Sequence, residues 1–137
     1  MSFLALSSNS QAESDTVTWA KKFFAAVDSR QPDAIVTFMQ PDIRLQMGNA
    51  PALVGIPAVH AAFSQAAQRF VAIQHSIQGI WQGTWEKGDV VSVEAIVTYT
   101  FPDSRIVKLP CTSTLRLQDE KIADYRIFID PTPAFAD

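Results

Sequence analysis

Near its end the chain reads Lys121-Ile-Ala-Asp-Tyr-Arg-Ile-Phe-Ile-Asp130, followed by Pro131-Thr-Pro133. Strand formers dominate this run, yet it carries Asp124, Arg126 and Asp130 at even spacing. Side chains two apart on a strand share a face, so an acid, a base and a second acid line up beside Phe128. Such a face can form one wall of a small pocket that moves protons. A carboxylate in an apolar pocket has its pKa raised toward neutrality, which suits proton abstraction. Asp130 is therefore the candidate general base, and Arg126 the candidate to hold it or to stabilise an enolate. The same pattern also fits a solvated face, with Tyr125, Ile127 and Ile129 turned to the core. Asp130 would then cap the Pro131 turn, and Arg126 would sit in a surface or dimer salt bridge.

Two other groups have the right chemistry. His75 stands between Ile73 and Ile77 on an apolar face. It could shuttle protons, or be a core histidine bonded to backbone. Tyr99 faces inward by alternation and could donate to a carbonyl oxygen, or pack with its hydroxyl satisfied. Trp19, Phe23, Met47, Phe63, Trp81 and Phe128 are large or soft apolar residues that could line a substrate pocket or form plain core. Cys111 has no convincing partner and reads as a core thiol.

Standard cofactor motifs are missing. There is no G-x-G-x-x-G, no G-x-x-x-x-G-K-[ST] and no G-x-S-x-G. His60 and His75 have no cysteine or carboxylate at metal-ligand spacing. The expectation is chemistry without metal or cofactor, from side chains that meet in a cavity.

The elements that must position these groups follow from periodicity. After a Ser-, Asn- and Gln-rich tail over 1–14, Ser14 or Asp15 caps a helix predicted at 15–29, with Val17, Ala20, Phe24 and Val27 at helical spacing. Pro32 and Asp33 open a second helix at about 32–39, which Pro41-Asp42 ends. Ile43–Met47 reads as a short strand, and Gly55-Ile56-Pro57 leads into a third helix at about 57–70. The period then changes from 3.6 to 2. Val71, Ile73, His75, Ile77 and Trp81 mark one face of a strand. Val91 to Phe101, Val107 to Leu117 and the terminal strand follow, joined by turns at Glu86-Lys87-Gly88-Asp89, Pro102-Asp103-Ser104 and Gln118-Asp119-Glu120-Lys121. The expected class is α+β, helices on one face of a strongly curved antiparallel sheet.

A chain of 137 residues is one domain, read here as 15–137. With 47% apolar and 18% charged residues, it leans apolar and leaves surface to hide in a cavity or a dimer face. The face of Glu94, Thr98, Thr112, Thr114 and Arg116 is the expected dimer surface. Net charge is −3, with Lys and Arg scattered, which argues against nucleic acid as a partner. One cysteine allows no internal disulfide. The start has no basic n-region and only a short apolar run, so neither membrane nor export is expected, and the compartment is read as cytoplasmic.

Several local motifs are similar, in order, to one family. They are Phe23-Phe24-Ala25-Ala26-Val27-Asp28; Gly48-Asn49-Ala50-Pro51 with Gly55-Ile56-Pro57-Ala58-Val59; Leu109-Pro110; Thr114-Leu115-Arg116-Leu117; Lys121-Ile122; and Arg126-Ile127-Phe128-Ile129-Asp130-Pro131. Together, over about residues 14–134, they resemble SnoaL-like proteins of the nuclear transport factor 2-like superfamily, relatives of ketosteroid isomerase and limonene epoxide hydrolase. The resemblance implies a cone-shaped half-barrel closed by three helices, an apolar pocket at its wide end and a homodimer through the outer face of the sheet. It implies proton transfer on a small hydrophobic carbonyl or polycyclic substrate, as in isomerases, polyketide cyclases or epoxide hydrolases. The alternative is a non-catalytic module of the same fold that binds a hydrophobic ligand or serves to dimerise. The first helix offers Trp19 and Phe23 where a tyrosine donor stands in ketosteroid isomerase, and Asp130 matches the family's terminal acid most closely.

Overall fold

The structure is a computed structural model that describes residues 14–136, so the tail read at 1–14 lies outside the described residues except for Ser14. Helix α1 (Asp15–Asp28) starts where Ser14 accepts the Val17 N–H on its hydroxyl at 3.1 Å. Its spacing puts Ala20, Phe23, Phe24 and Val27 on one buried face. Helix α2 (Pro32–Val36) opens on proline and is shorter than the periodicity predicts. The chain leaves it because the Phe38 carbonyl accepts the Ile122 N–H at 2.8 Å and Met39 pairs with Ile122. Strand β1 (Met39–Met47) thus begins four residues ahead of the expected Ile43. It tolerates Pro41, which has no N–H to give, because its register with the last strand shifts between Met39 and Arg44.

A two-residue strand β2 (Leu53–Val54), which the sequence does not announce, pairs back onto β1 at Leu45 and Arg44. Between them Gly48 turns at φ +55, where an added Cβ would lie 3.1 Å from the Ile129 carbonyl. Helix α3 (Ile56–Arg69) follows. Then come the long strands β3 (Ala72–Trp85), β4 (Gly88–Thr100), β5 (Ile106–Gln118) and β6 (Lys121–Phe128), and a short helix α4 (Thr132–Phe135). The sheet order is β2-β1-β6-β5-β4-β3. Only β1 and β6 run parallel; the other neighbours are antiparallel. The result is α+β, with helices packed on one face of a curved, unclosed six-stranded sheet. Among the described residues no helix is long and apolar enough to cross a membrane.

Strand β3 departs from simple alternation. Ile73, His75 and Ile77 face the helices, but the register with β4 shifts between Ile77 and Gly79. That bulge absorbs Gln78 and inverts parity, so Ile80 lies opposite the inward-facing Val93 and Trp81 opposite the outward-facing Ser92. Trp81, expected in the pocket, is therefore on the outer face and 55% exposed. Its ring lies against Gly79, where an added Cβ would come within 2.4 Å of it.

The interior is two clusters rather than one. The first joins α1, α2, β1 and β6 around Phe23, whose ring meets those of Trp19, Phe24, Phe38 and Tyr125 at centroid distances of 5.2 to 5.8 Å. The second gathers Phe70, Tyr99, Phe101, Leu109, Cys111 and Ala134. Phe23 has no exposed surface. Phe23→Ala should lower unfolding free energy by about 3–5 kcal/mol, through lost burial plus the cavity left behind. Ile106→Ala, at a 57% exposed position, should change it by no more than about 0.5 kcal/mol. Urea titration of the two variants measures both.

Candidate active site

Where the two clusters fail to meet there is a cavity of about 510 Å³, bounded by α1, α3 and the inner face of the sheet. Its wall is mostly apolar, with Val27, Leu45, Met47, Phe63, Ile127 and Ile129 supplying much of it. Polar groups are few: His75, Tyr99, Ser113, Tyr125, Gln65, Arg69 and the thiol of Cys111. An apolar hollow with a handful of converging polar groups is the usual form of a small-molecule site.

His75 is held by a partner that sequence reading missed. Asp28, the last residue of α1, accepts the His75 backbone N–H on Oδ2 at 2.9 Å and meets ring atom Nδ1 with Oδ1 at 2.6 Å. A carboxylate can only accept, so Nδ1 is the donating nitrogen, and in the neutral ring Nε2 is the one with a free lone pair. The imidazole is 9% exposed and packs against the Phe24 ring at 5.0 Å. Ring orientation and tautomer are therefore both fixed. The sequence did hold one signal of this role. An acid at a helix C-terminus opposes the helix dipole and needs a reason to be there.

Tyr99 and Tyr125 add hydroxyls to the same space. Burial above all, with lesser pushes from Cys111 and Asp28, raises the Tyr99 pKa far above the ordinary phenol value. Burial does the same to Tyr125, against a smaller opposing effect of its hydrogen bond with Ser113. Both phenols stay neutral donors across the physiological range. Burial also pushes the Cys111 thiol up to about 11, the opposite of what a nucleophilic cysteine requires.

The mouth is tied down by Arg69. Its Nε donates to the Ala134 carbonyl at 2.8 Å and its Nη2 to that of Ala136 at 3.0 Å, drawing α4 and Phe135 over the edge of the cavity. The guanidinium also lies within 6 Å of the Phe70, Phe101 and Phe135 ring centroids.

The sequence candidates are thus divided among three places. His75, Tyr99, Met47 and Phe63 line the cavity. Trp19 and Phe23 pack in the first cluster instead, stacked on each other at 5.8 Å. Arg126 and Phe128 lie outside because the inner parity of β6 belongs to Tyr125 and Ile127, and Trp81 lies outside because of the bulge in β3. Arg126 donates from Nε to Asp124 Oδ1 at 2.9 Å, and Phe128 is 57% exposed. Asp130 follows the end of β6 and is exposed. Its carboxylate accepts the Thr132 N–H at 3.1 Å. The hydrogen bonds from Thr132, side chain first, hold its pKa below the usual carboxylate value. A base in the cavity needs the reverse, so the structure corrects that assignment: Asp130 is the turn cap.

Comparison with known proteins agrees with this architecture. The family model described as a SnoaL-like domain matches residues 20–125. The chain belongs to the SnoaL-like family. Among solved structures, it is similar to a candidate SnoaL-like polyketide cyclase from Jannaschia sp. CCS1, at 20% identity and TM-score 0.71, with 92% of this chain and 98% of that one covered. A protein of ketosteroid isomerase-like fold from Catenulispora acidiphila, in complex with trimethylamine, aligns at 16% identity and TM-score 0.74 over 86% and 89% of the two chains. An NTF2-like protein of unknown function from Burkholderia pseudomallei aligns at 12% identity and TM-score 0.75 over 91% and 100%. At these identities the likeness is one of fold. A search of curated proteins finds no match.

The titration behaviour yields a prediction. The Cys111 thiol moves from 9.0 in the unfolded chain to about 11 in the folded one, and the two tyrosines move upward from 10.0. Groups whose pKa is raised by folding stabilise fully below their unfolded pKa and lose that contribution as pH rises toward the folded value. The urea midpoint should therefore hold level up to pH 9 as far as these groups are concerned, then fall steadily toward pH 11. In parallel, iodoacetamide at pH 8 should alkylate Cys111 far more slowly in the folded protein than in urea.

Proposed function

We propose that this SnoaL-like domain is a proton-transfer enzyme of the isomerase or cyclase type, with His75 as the general base. The observation that carries the reading is the 2.6 Å contact between Asp28 and His75 Nδ1, inside a cavity that is otherwise mostly apolar. The substrate class this supports is a small hydrophobic carbonyl compound with an acidic C–H beside the carbonyl. Nε2 takes the proton from that carbon, and the electron pair of the C–H bond becomes an enolate. Asp28 stabilises the imidazolium that forms. A neutral tyrosine hydroxyl, Tyr99 or Tyr125, donates to the enolate oxygen in surroundings of low dielectric. Where a β,γ C=C makes this a dienolate, the imidazolium returns the proton to the γ carbon, the double bond shifts into conjugation and the carbonyl re-forms. Where a second carbonyl is present, the enolate carbon attacks it and its π electrons move onto its oxygen. That oxygen takes the imidazolium proton as the ring closes.

Exchange of C–H for C–D next to the carbonyl of cyclic ketones and diketones in deuterium oxide, followed by proton NMR, tests the base directly. Wild type should accelerate exchange in at least one such compound. His75→Gln should lose about 10²–10⁴ of that acceleration while remaining folded. Asp28→Asn should lose less and shift the pH profile, since it frees the ring to adopt the wrong tautomer. Asp130→Asn should change nothing. Ligands that bind the cavity without any exchange would favour the second reading, a hydrophobic-ligand-binding module.

We also infer a homodimer. The outer face of β4 and β5 carries Ile96, Thr98, Thr112 and Thr114 at matched positions, with exposed Trp81 and Phe128 beside them. A groove of about 320 Å³ runs past Ile96, Pro110, Thr112 and Phe128. Sedimentation equilibrium at micromolar concentration should give the mass of two chains, and a double Trp81→Ala, Phe128→Ser variant should shift it toward one.

A further inference from the structure

The outer face also carries a cluster that the cavity chemistry does not use. Strands β1, β6 and β5 are neighbours there, and their register sets Arg44, Asp124 and Arg116 side by side. The next row holds Gln46, Arg126 and Thr114. Three guanidinium groups therefore converge on one carboxylate.

The distances are unequal. Arg126 Nε donates to Asp124 Oδ1 at 2.9 Å. Arg116 Nη1 lies 3.6 Å from Oδ1, and Arg44 Nη1 lies 3.8 Å from Oδ2. These last two are too long to be hydrogen bonds. Both Nη1 atoms are buried and have no hydrogen-bond partner among the described residues. Arg44 has only a long 3.4 Å contact to the Gln46 side chain. Asp124 lies underneath, 15% exposed, while Arg44, Arg116 and Arg126 are 40%, 29% and 43% exposed above it. One negative charge faces three positive ones, and no second acid among the described residues pairs with them. Buried N–H groups without acceptors and an excess of two positive charges are both costly in a partly desolvated place.

We propose that this cluster is a binding site for an oxyanion, a phosphate or carboxylate group on a small molecule, seated over Asp124 between the three guanidinium groups. Guanidinium forks match the oxygen spacing of such groups, and charge-assisted bonds of this kind are the strong ones. The anion neutralises the excess charge and draws Arg44 and Arg116 into hydrogen bonds that Asp124 alone is too distant to accept. The site lies on the opposite face of the sheet from the cavity, so it stands or falls apart from the proposed enzyme activity. It adjoins the inferred dimer face at Thr114, and Arg116, expected on that face from sequence, is assigned here to the anion site.

Phosphorus-31 NMR of inorganic phosphate tests it, at constant ionic strength set with sodium chloride. Wild-type protein should broaden the phosphate line in a saturable way. The double variant Arg44→Gln, Arg116→Gln should weaken that binding at least tenfold, with an unchanged far-ultraviolet circular dichroism spectrum. Should that variant fail to fold, Arg44→Lys with Arg116→Lys keeps the charge but loses the forks, and should still bind at least threefold more weakly. Equal broadening by wild type and a folded variant, or no saturable broadening by wild type, overturns the site.

Discussion

The Asp28 carboxylate is the contact on which the rest of this molecule turns. It ends helix α1, where a negative charge is unfavourable by about 0.3–1 kcal/mol. Both of its oxygens are used on a single residue of β3, one on the backbone and one on the ring. Strand β3 is an edge of the sheet, so its outward N–H groups have no neighbouring strand. Asp28 satisfies one of them and so fixes the height of α1 above the strand. In the proposed reaction, the same bonds decide which imidazole nitrogen serves as the base. Packing, edge protection and chemistry are thus set by one side chain, and Asp28 cannot change without disturbing all three.

That anchoring explains why the interior stays divided. The Phe23 cluster draws α1 onto β1 and β6, while the Phe70 cluster draws α3 toward the far ends of β4 and β5. Arginines join the two halves at their margins. Arg30 donates from Nη1 to the carbonyls of Ala67 and Phe70 at 2.8 and 3.0 Å, closing the C-terminal end of α3. Arg69 fastens the segment around α4 in the same way. Aromatic packing on both sides, tied across by backbone acceptors, keeps a hollow open that a uniform aliphatic core would fill.

How legible was this in the residues? The strands β4 and β5 were, because Val91 to Tyr99 and Leu109 to Leu117 alternate without interruption and one face is wholly buried. So were the start of α1 at Ser14 and the inward course of His75 and Tyr99. Trp81 was not, since a bulge at Gln78 changes parity without any change in composition. Met39 looked like the end of a helix because its pairing partner, Ile122, lies far along the chain. Asp130 was misread for a related reason. Face parity holds only within a strand, and β6 ends at Phe128. The pairing of Asp28 with His75 joins residues 47 apart and follows from how α1 crosses the sheet, which no local pattern encodes.

The parallel pairing of β1 with β6 has a consequence for how the chain reaches its native state. Strands β3 to β6 form successive hairpins, each closing over a few residues, and such local pairings form early. The contacts that bring in β1 are of another kind: Gln40 bonds the Gln118 carbonyl 78 positions away, and Lys121 reaches that of Thr37 across 84. On the ribosome, β1 emerges long before β6, so the parallel pairing of the two has to wait until β6 has been made. Through that interval Phe23 lacks the Tyr125 ring that completes its cluster. The cluster around Phe23, central to the finished core, is therefore among the last parts of it to be completed.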